Sequence, residues 1–253
     1  MKALISIFIL FCIHPKLNGQ ISVTDLEQMN LKSSIESIIE TTLSATGKSK
    51  RNKRMDTTSQ MSYLFNKAGN IKRECWHFEA IGDSTTIYTY YNDQGIKTSN
   101  LYIDHTNKFQ NTSQFKQDTI QRTITSFVFS EQGDSISKQV YKFNAKGFKI
   151  EHQTYGAFAI GGKLLNTRLW EYDQTNFNIR THYYTPDSSF YRTSLHYGTR
   201  QNLLSTSVIS NITIPINYSY LYVYDERGNW IKKTTMQGKK VTFIELRTIT
   251  YNP

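Results

Sequence analysis

The sequence predicts an all-β fold: an antiparallel hairpin-repeat sheet, curved and open or partly closed, with one N-terminal amphipathic helix. Three observations predict it. From residue 61 onward the pattern has a period of two, as in Ser126-Phe127-Val128-Phe129 and Leu221-Tyr222-Val223-Tyr224. The chain holds 17 tyrosines and 14 phenylalanines but only 4 prolines. It is therefore rich in side chains that suit a pleated surface and poor in the one that interrupts hydrogen-bonded ladders. The third observation is a recurring phrase: aromatic, any residue, aromatic, Asn or Asp, two residues, Gly. Its clearest copies are Tyr63 to Gly69, Tyr141 to Gly147 and Tyr222 to Gly228.

In chain order, the first element is an address. Lys2 precedes an apolar run from Ala3 to Ile13, then His14-Pro15 and a small residue at Gly19. That is the layout of a secretory signal peptide over residues 1–19. The run is shorter than the about 20 residues a membrane-spanning helix needs, and no later stretch resembles a span. Cleavage removes Cys12 and leaves Cys75 alone, so no internal disulfide is expected.

Residues 20–60 read as a helix followed by a basic linker. Thr24-Asp25-Leu26-Glu27 has the form of a capping box, in which hydroxyl and carboxylate each satisfy the other residue's amide. Leu26, Met29, Ile35, Ile38, Ile39 and Leu43 share one face of a helix spanning 24–45. Gly47 is its expected end. Lys48, Lys50, Arg51, Lys53 and Arg54 then crowd into a polar, solvated stretch. Gly47-Lys48-Ser49 imitates the end of a phosphate-binding loop, but Thr42 stands where the earlier glycine is required and no strand leads in.

Residues 61–253 form the repeat domain. Gly69, Gly95, Gly133, Gly147 and Gly228 each close a turn, with Asn176 standing in once. Gly or Asn is required where the backbone takes positive φ. The preceding Asn66, Asn144, Asp173 or Asp225 accepts a hydrogen bond from the backbone two residues on and starts the turn. Each unit is thus strand, tight turn, strand, and about ten to fourteen strands are expected.

The phrase Tyr222-Val223-Tyr224-Asp225-Glu226-Arg227-Gly228-Asn229-Trp230 resembles a YD repeat, the unit of RHS-type bacterial surface proteins, and Tyr63 to Ile71 and Tyr141 to Phe148 resemble weaker copies. The resemblance implies antiparallel hairpins stacked side by side into a long curved sheet, with a role in binding at the cell surface. Large members of that family enclose a toxin in a hollow shell. The repeat domain is expected to be too short for such a shell, and no toxin segment is expected after it. The family supplies no catalytic residues to transfer.

The net charge is +10, and loss of Lys2 and Lys16 with the signal would leave about +8, enough to attract acidic polysaccharide or lipid headgroups. The basic side chains are expected mainly on the polar face of strands, where they protect sheet edges, and no specific nucleic-acid partner is expected. His77, His105, His152, His182 and His196 form no metal-ligand spacing. Cys75 and His77 share a strand face, but a half-buried structural thiol is the reading for Cys75. Glu171 and Asp173, or Glu151, stand at a spacing a glycosidase pair requires, yet Asp173 already serves a turn. Neither enzymatic activity, nor a cofactor, nor a metal is expected.

The aromatic rings are the functional lead. Tyr90, Tyr91, Tyr102, Tyr183, Tyr184, Tyr191 and Trp230 are candidates for stacking on sugars or peptide side chains, and equally for cross-strand pairs that hold the sheet. The expectation is a secreted, non-enzymatic binding or scaffold module of the cell envelope with a protein or glycan partner. The alternative is a periplasmic carrier of a lipid or apolar ligand, and the third reading is a hydrolase. A concave face of Leu, Ile and Phe favours the carrier, and one of Tyr, Trp and Lys favours glycan binding. An open edge would invite a second copy, so the oligomeric state stays open.

Overall fold

The computed structural model describes residues 24–46, 54–79, 82–157, 161–173, 178–186, 190–197, 203–210 and 215–253. The expected signal peptide, most of the basic stretch and the Asn176 turn lie outside them. Among the described residues a single helical turn, α1 (Asp25–Gln28), precedes sixteen strands. These are β1 (Ile35–Thr46), β2 (Arg54–Phe65), β3 (Ile71–Phe78), β4 (Asp83–Tyr91), β5 (Lys97–Asp104) and β6 (Phe109–Asp118). Then come β7 (Thr123–Ser130), β8 (Ser135–Phe143), β9 (Lys149–Tyr155), β10 (Leu164–Tyr172) and β11 (Asn178–Tyr184). The last are β12 (Phe190–Tyr197), β13 (Leu203–Ser210), β14 (Ile216–Tyr224), β15 (Trp230–Gln237) and β16 (Lys240–Tyr251). Each strand pairs antiparallel with its sequence neighbour, and β1 also pairs with β16, with Glu40 opposite Arg247. The sheet is a closed barrel, neither open nor partly closed, and has sixteen strands rather than ten to fourteen.

Closure and the extra strands have one cause. The stretch expected as helix and linker is mostly strand. The capping box is present, with Thr24 N donating to Glu27 Oε2 at 2.8 Å and Glu27 N to Thr24 Oγ1 at 3.3 Å, but α1 stops after one turn. Asn30 and Ser33 take positive φ, 52° and 71°, which turns the chain out of the helix. The rest is rich in β-branched residues, and a register shift between Ile35 and Ser37 puts both Ile35 and Ile38 on the barrel's inner face. That shift imitates the three- and four-residue spacing of a helix. The barrel therefore uses residues on both sides of position 61.

The turns follow the predicted chemistry. Asn66 Oδ1 accepts from Ala68 N and Asn70 N, both at 3.0 Å. Asn92 and Asn144 repeat the pattern, and Asp225 Oδ1 accepts from Asn229 N at 2.9 Å. These four hairpins share one rim, and Gly133 turns the chain at the opposite rim. At the first rim, residues 24–34 cross the mouth of the barrel as a floor. Leu26 N donates to Gly69 O at 3.1 Å, Ile71 N to Asp25 Oδ2 at 2.7 Å, and Lys32 N to Asn229 Oδ1 at 2.7 Å. Ile35, Ile38 and Phe65 form the buried cluster beneath Leu26 and Met29.

Candidate binding site on the inner wall

Period-two alternation and the strand register divide the side chains into two walls. Opposite each other across the floor-side turns stand Phe65 and Ile71, Tyr91 and Lys97, Phe143 and Lys149, and Tyr224 and Trp230. In each pair one residue is four before the turn glycine and the other two after it. All four pairs lie on the inner wall, the face that Leu26 and Asp25 meet. Lys149 on β9 also feels the charge of Lys97 on β5 across three intervening strands, which only the concave side of a sheet permits.

The inner wall is aromatic and charged. Lys97 Nζ stands 4.6 Å from the Phe115 ring centroid, and Lys149 Nζ 4.8 Å from that of Tyr141 and 5.6 Å from that of Trp170. The Arg168 guanidinium is 5.9 Å from Trp170 and 5.6 Å from Tyr183. These are cation–π distances. Lys97, Lys149 and Arg168 have no ion-pair partner within 4 Å among the described residues. In the amide orientation that satisfies its neighbours, Asn100 accepts from Lys97 Nζ at 3.2 Å. Burial holds both lysines below the usual range, and Lys97 further lowers Lys149. Asp25 and Glu74 are raised, chiefly by burial, and partly offset the lysines from a distance.

His152 stacks on Tyr141 at 4.4 Å. Its imidazole is pushed down to about 4, by burial first and then by Lys149 and Arg168, so it is neutral at physiological pH. A second group of charges continues the wall and is internally paired. Arg247 Nε donates to Glu40 Oε2 at 2.8 Å, and Lys233 Nζ meets Glu245 Oε2 at 2.6 Å. Tyr63 stands between the two groups, and its phenol is raised to about 12 by burial and then by Glu40 and Glu74.

The predicted rings separate by parity. Tyr91, Tyr102, Tyr183 and Trp230 are on the inner wall. Tyr90 and Tyr184 point outward and are exposed, because each is the immediate neighbour of an inward tyrosine. Tyr191 is opposite Tyr183 in backbone register, and its side chain lies outside the described residues. The expectation that basic side chains keep to the polar outer face fails for Lys97, Lys149, Arg168, Lys233 and Arg247. For Lys97 and Lys149 the signal is in the repeat itself: the position two after the turn glycine faces inward, and in these two copies it is a lysine.

The outer wall differs. Strand β6 presents Gln110, Thr112, Gln114 and Lys116, and Lys142 pairs with Glu151 at 2.7 Å. Glu171 bonds His182 at 2.8 Å and Arg180 at 3.3 Å, so it is occupied on the outer face. Cys75, also outward, receives a bond from Thr86 Oγ1 at 3.7 Å. Leu221, Val223, Leu246 and Ile39 are exposed on β14, β16 and β1. Among the described residues no helix is long and apolar enough to cross a membrane.

No protein-family model and no curated protein matches the chain. Among solved structures, a porin-like protein from Bacteroides uniformis is 12% identical, with a TM-score of 0.55 over 87% of this chain and 99% of that one. A porin-like protein from Bacteroides vulgatus is 11% identical, with a TM-score of 0.47 over 87% of this chain and 100% of that one. The TcdB2-TccC3 structure is 10% identical, with a TM-score of 0.32 over 83% of this chain and 15% of that one. The first of these likenesses is one of fold: this chain is an all-β closed barrel similar to the Bacteroides uniformis protein.

Proposed function

We propose that the chain is a non-enzymatic binding protein of the cell envelope that holds a glycan against the inner wall of its barrel. One observation carries this reading: the enclosed face sets tyrosine and tryptophan rings beside Lys97, Lys149 and Arg168, which have no ion pair among the described residues. Rings that are apolar on their faces and wet at their edges suit sugars, which present C–H faces and hydroxyl rims. A lipid carrier needs a predominantly apolar wall, whereas the buried apolar side chains, Ile35, Ile38, Phe65 and Phe143, lie at the floor-side rim. The histidine–carboxylate pair His182 and Glu171 is on the outside, away from any enclosed substrate.

An envelope location rests on the expected signal peptide and on the barrel fold. The outer wall supports an aqueous compartment rather than insertion as a pore. A lipid-spanning barrel presents an apolar band about 25 Å tall, and a midplane lysine or arginine on it costs about 2–4 kcal/mol. Here Lys116, Lys142, Arg180 and Lys232 face outward.

The test is thermal unfolding of purified protein, prepared without detergent, against glycan and lipid panels. Ligand that binds the native state raises Tm by mass action. The expected result is a rise with glycans that Trp170→Ala removes and Tyr90→Ala leaves intact. A rise with lipids alone, or solubility only in detergent, overturns the reading.

A further inference from the structure

We infer that Lys97, Lys149 and Arg168 form an anion subsite for the carboxylate or sulfate group of an acidic sugar. The inference rests on the inner-wall reading above and adds the class of glycan. Lys97 at the start of β5 acts through space on Lys149 at the start of β9, and Lys149 and Arg168 on β10, opposite His152, share the Trp170 ring at 5.6 Å and 5.9 Å. Each is seated on a ring, at 4.6 Å, 4.8 Å and 5.6 Å from Phe115, Tyr141 and Tyr183. A cation resting on a ring face keeps its N–H donors for another partner. None of the three has an ion pair among the described residues.

The charge of the group is unbalanced. Asp25 acts on both lysines and Glu74 on Lys97, each through space, and two carboxylates against three cations leave a surplus of one positive charge. An anion between the cations offsets their mutual repulsion and replaces lost hydration with charge-assisted hydrogen bonds. Neutral His152 beside Arg168 adds a hydrogen-bonding edge without further charge. The rings decide between classes of anion: Tyr141, Trp170 and Tyr183 surround the cations, so the ligand that uses both features carries its charge on a ring with C–H faces. Asp25, supplied by the floor, is the one carboxylate of the group not rooted in the barrel wall, and it competes with the ligand's own.

The test measures binding of four probes to the full chain by calorimetry: an oligouronate, a sulfated oligosaccharide, a neutral oligosaccharide of equal length, and oligoglutamate. An acidic sugar is expected to bind at least about tenfold tighter than the neutral one, with affinity falling as salt rises. Whether uronate or sulfate binds tighter identifies the group. Lys149→Gln is expected to weaken binding about tenfold, and outward Lys116→Gln to leave it unchanged. Asp25→Asn, which keeps an acceptor for Ile71 N, is expected to tighten it; this arm stands even where Lys149→Gln fails to fold. Equal affinity for neutral and acidic sugars overturns the anion subsite and leaves the inner-wall reading standing. Equal affinity for oligoglutamate overturns the assignment to sugars. Equal losses from Lys116→Gln and Lys149→Gln overturn the subsite in favour of general attraction. No binding of any saccharide overturns both readings.

Discussion

The Arg247 guanidinium stands 3.4 Å from the centroid of the Trp230 ring while its Nε donates to Glu40 at 2.8 Å. The two side chains of the ion pair are 8% and 14% exposed, and Arg247 Nη1 is buried without an acceptor. The pair also spans the β1–β16 ladder that closes the barrel. Removing one partner of a buried pair leaves an uncompensated charge, at a cost of about 3 kcal/mol or more. Glu40→Gln is therefore expected to lower the unfolding free energy measured in urea by that amount. Adding Arg247→Met should recover most of the loss. A single variant as stable as the wild type would show that the pair does not hold the closure.

Gly69 and Gly133 make a matched comparison. Both take positive φ, 83° and 88°. A Cβ on Gly69 would stand 3.0 Å from Leu26 Cδ1, whereas one on Gly133 meets nothing within 4 Å. Gly133→Ala should cost about 1 kcal/mol from backbone strain alone. Gly69→Ala should cost more and should also speed amide exchange in residues 24–34, because it pushes the floor away. Equal costs in denaturant unfolding would mean that Leu26 yields freely.

The low value of His152 sets a pH dependence. The folded state binds this proton less readily than the unfolded state, whose imidazole titrates near the usual 6.5. Stability from the neutral ring is thus complete above about 6.5 and falls as pH drops toward 4. Discounted for solvent screening, the loss is about 1–2 kcal/mol. Asp25 and Glu74, both raised, act in the opposite sense at acid pH, so the readout is the difference between wild type and His152→Gln. The variant should flatten the decline between pH 6.5 and 4. A parallel decline would assign it to other groups.

Local chemistry was legible in the sequence and long-range closure was not. The Asn66, Asn92, Asn144 and Asp225 turns and the Thr24–Glu27 box are decided within five residues, so their residue types reveal them. The pairing of β1 with β16 joins residues about 200 positions apart, and no local pattern records it. Ile35, Ile38 and Ile39 read as a helix because a bulge breaks the strand's alternation. Tyr90 and Tyr91, or Tyr183 and Tyr184, look equivalent in composition and differ only in parity, which becomes informative once register is known. The inward lysines are hidden for a related reason: lysine as a residue type points to solvent, and only the register shows that Lys97 and Lys149 face the enclosed side, where burial holds both below the usual range.

Fifteen of the sixteen strand pairings join sequence neighbours, and the remaining one ties the first strand to the last. Fifteen pairings therefore each close only a short connection, while the final seam carries the chain's longest loop-closure entropy. Any shortening that removes β16 would leave β1 and β15 each with one unpaired edge, facing across a gap. Such edges are templates for cross-molecular pairing. The seam thus removes an edge that would template polymerisation, and the twelve residues of β16 serve solubility as well as shape.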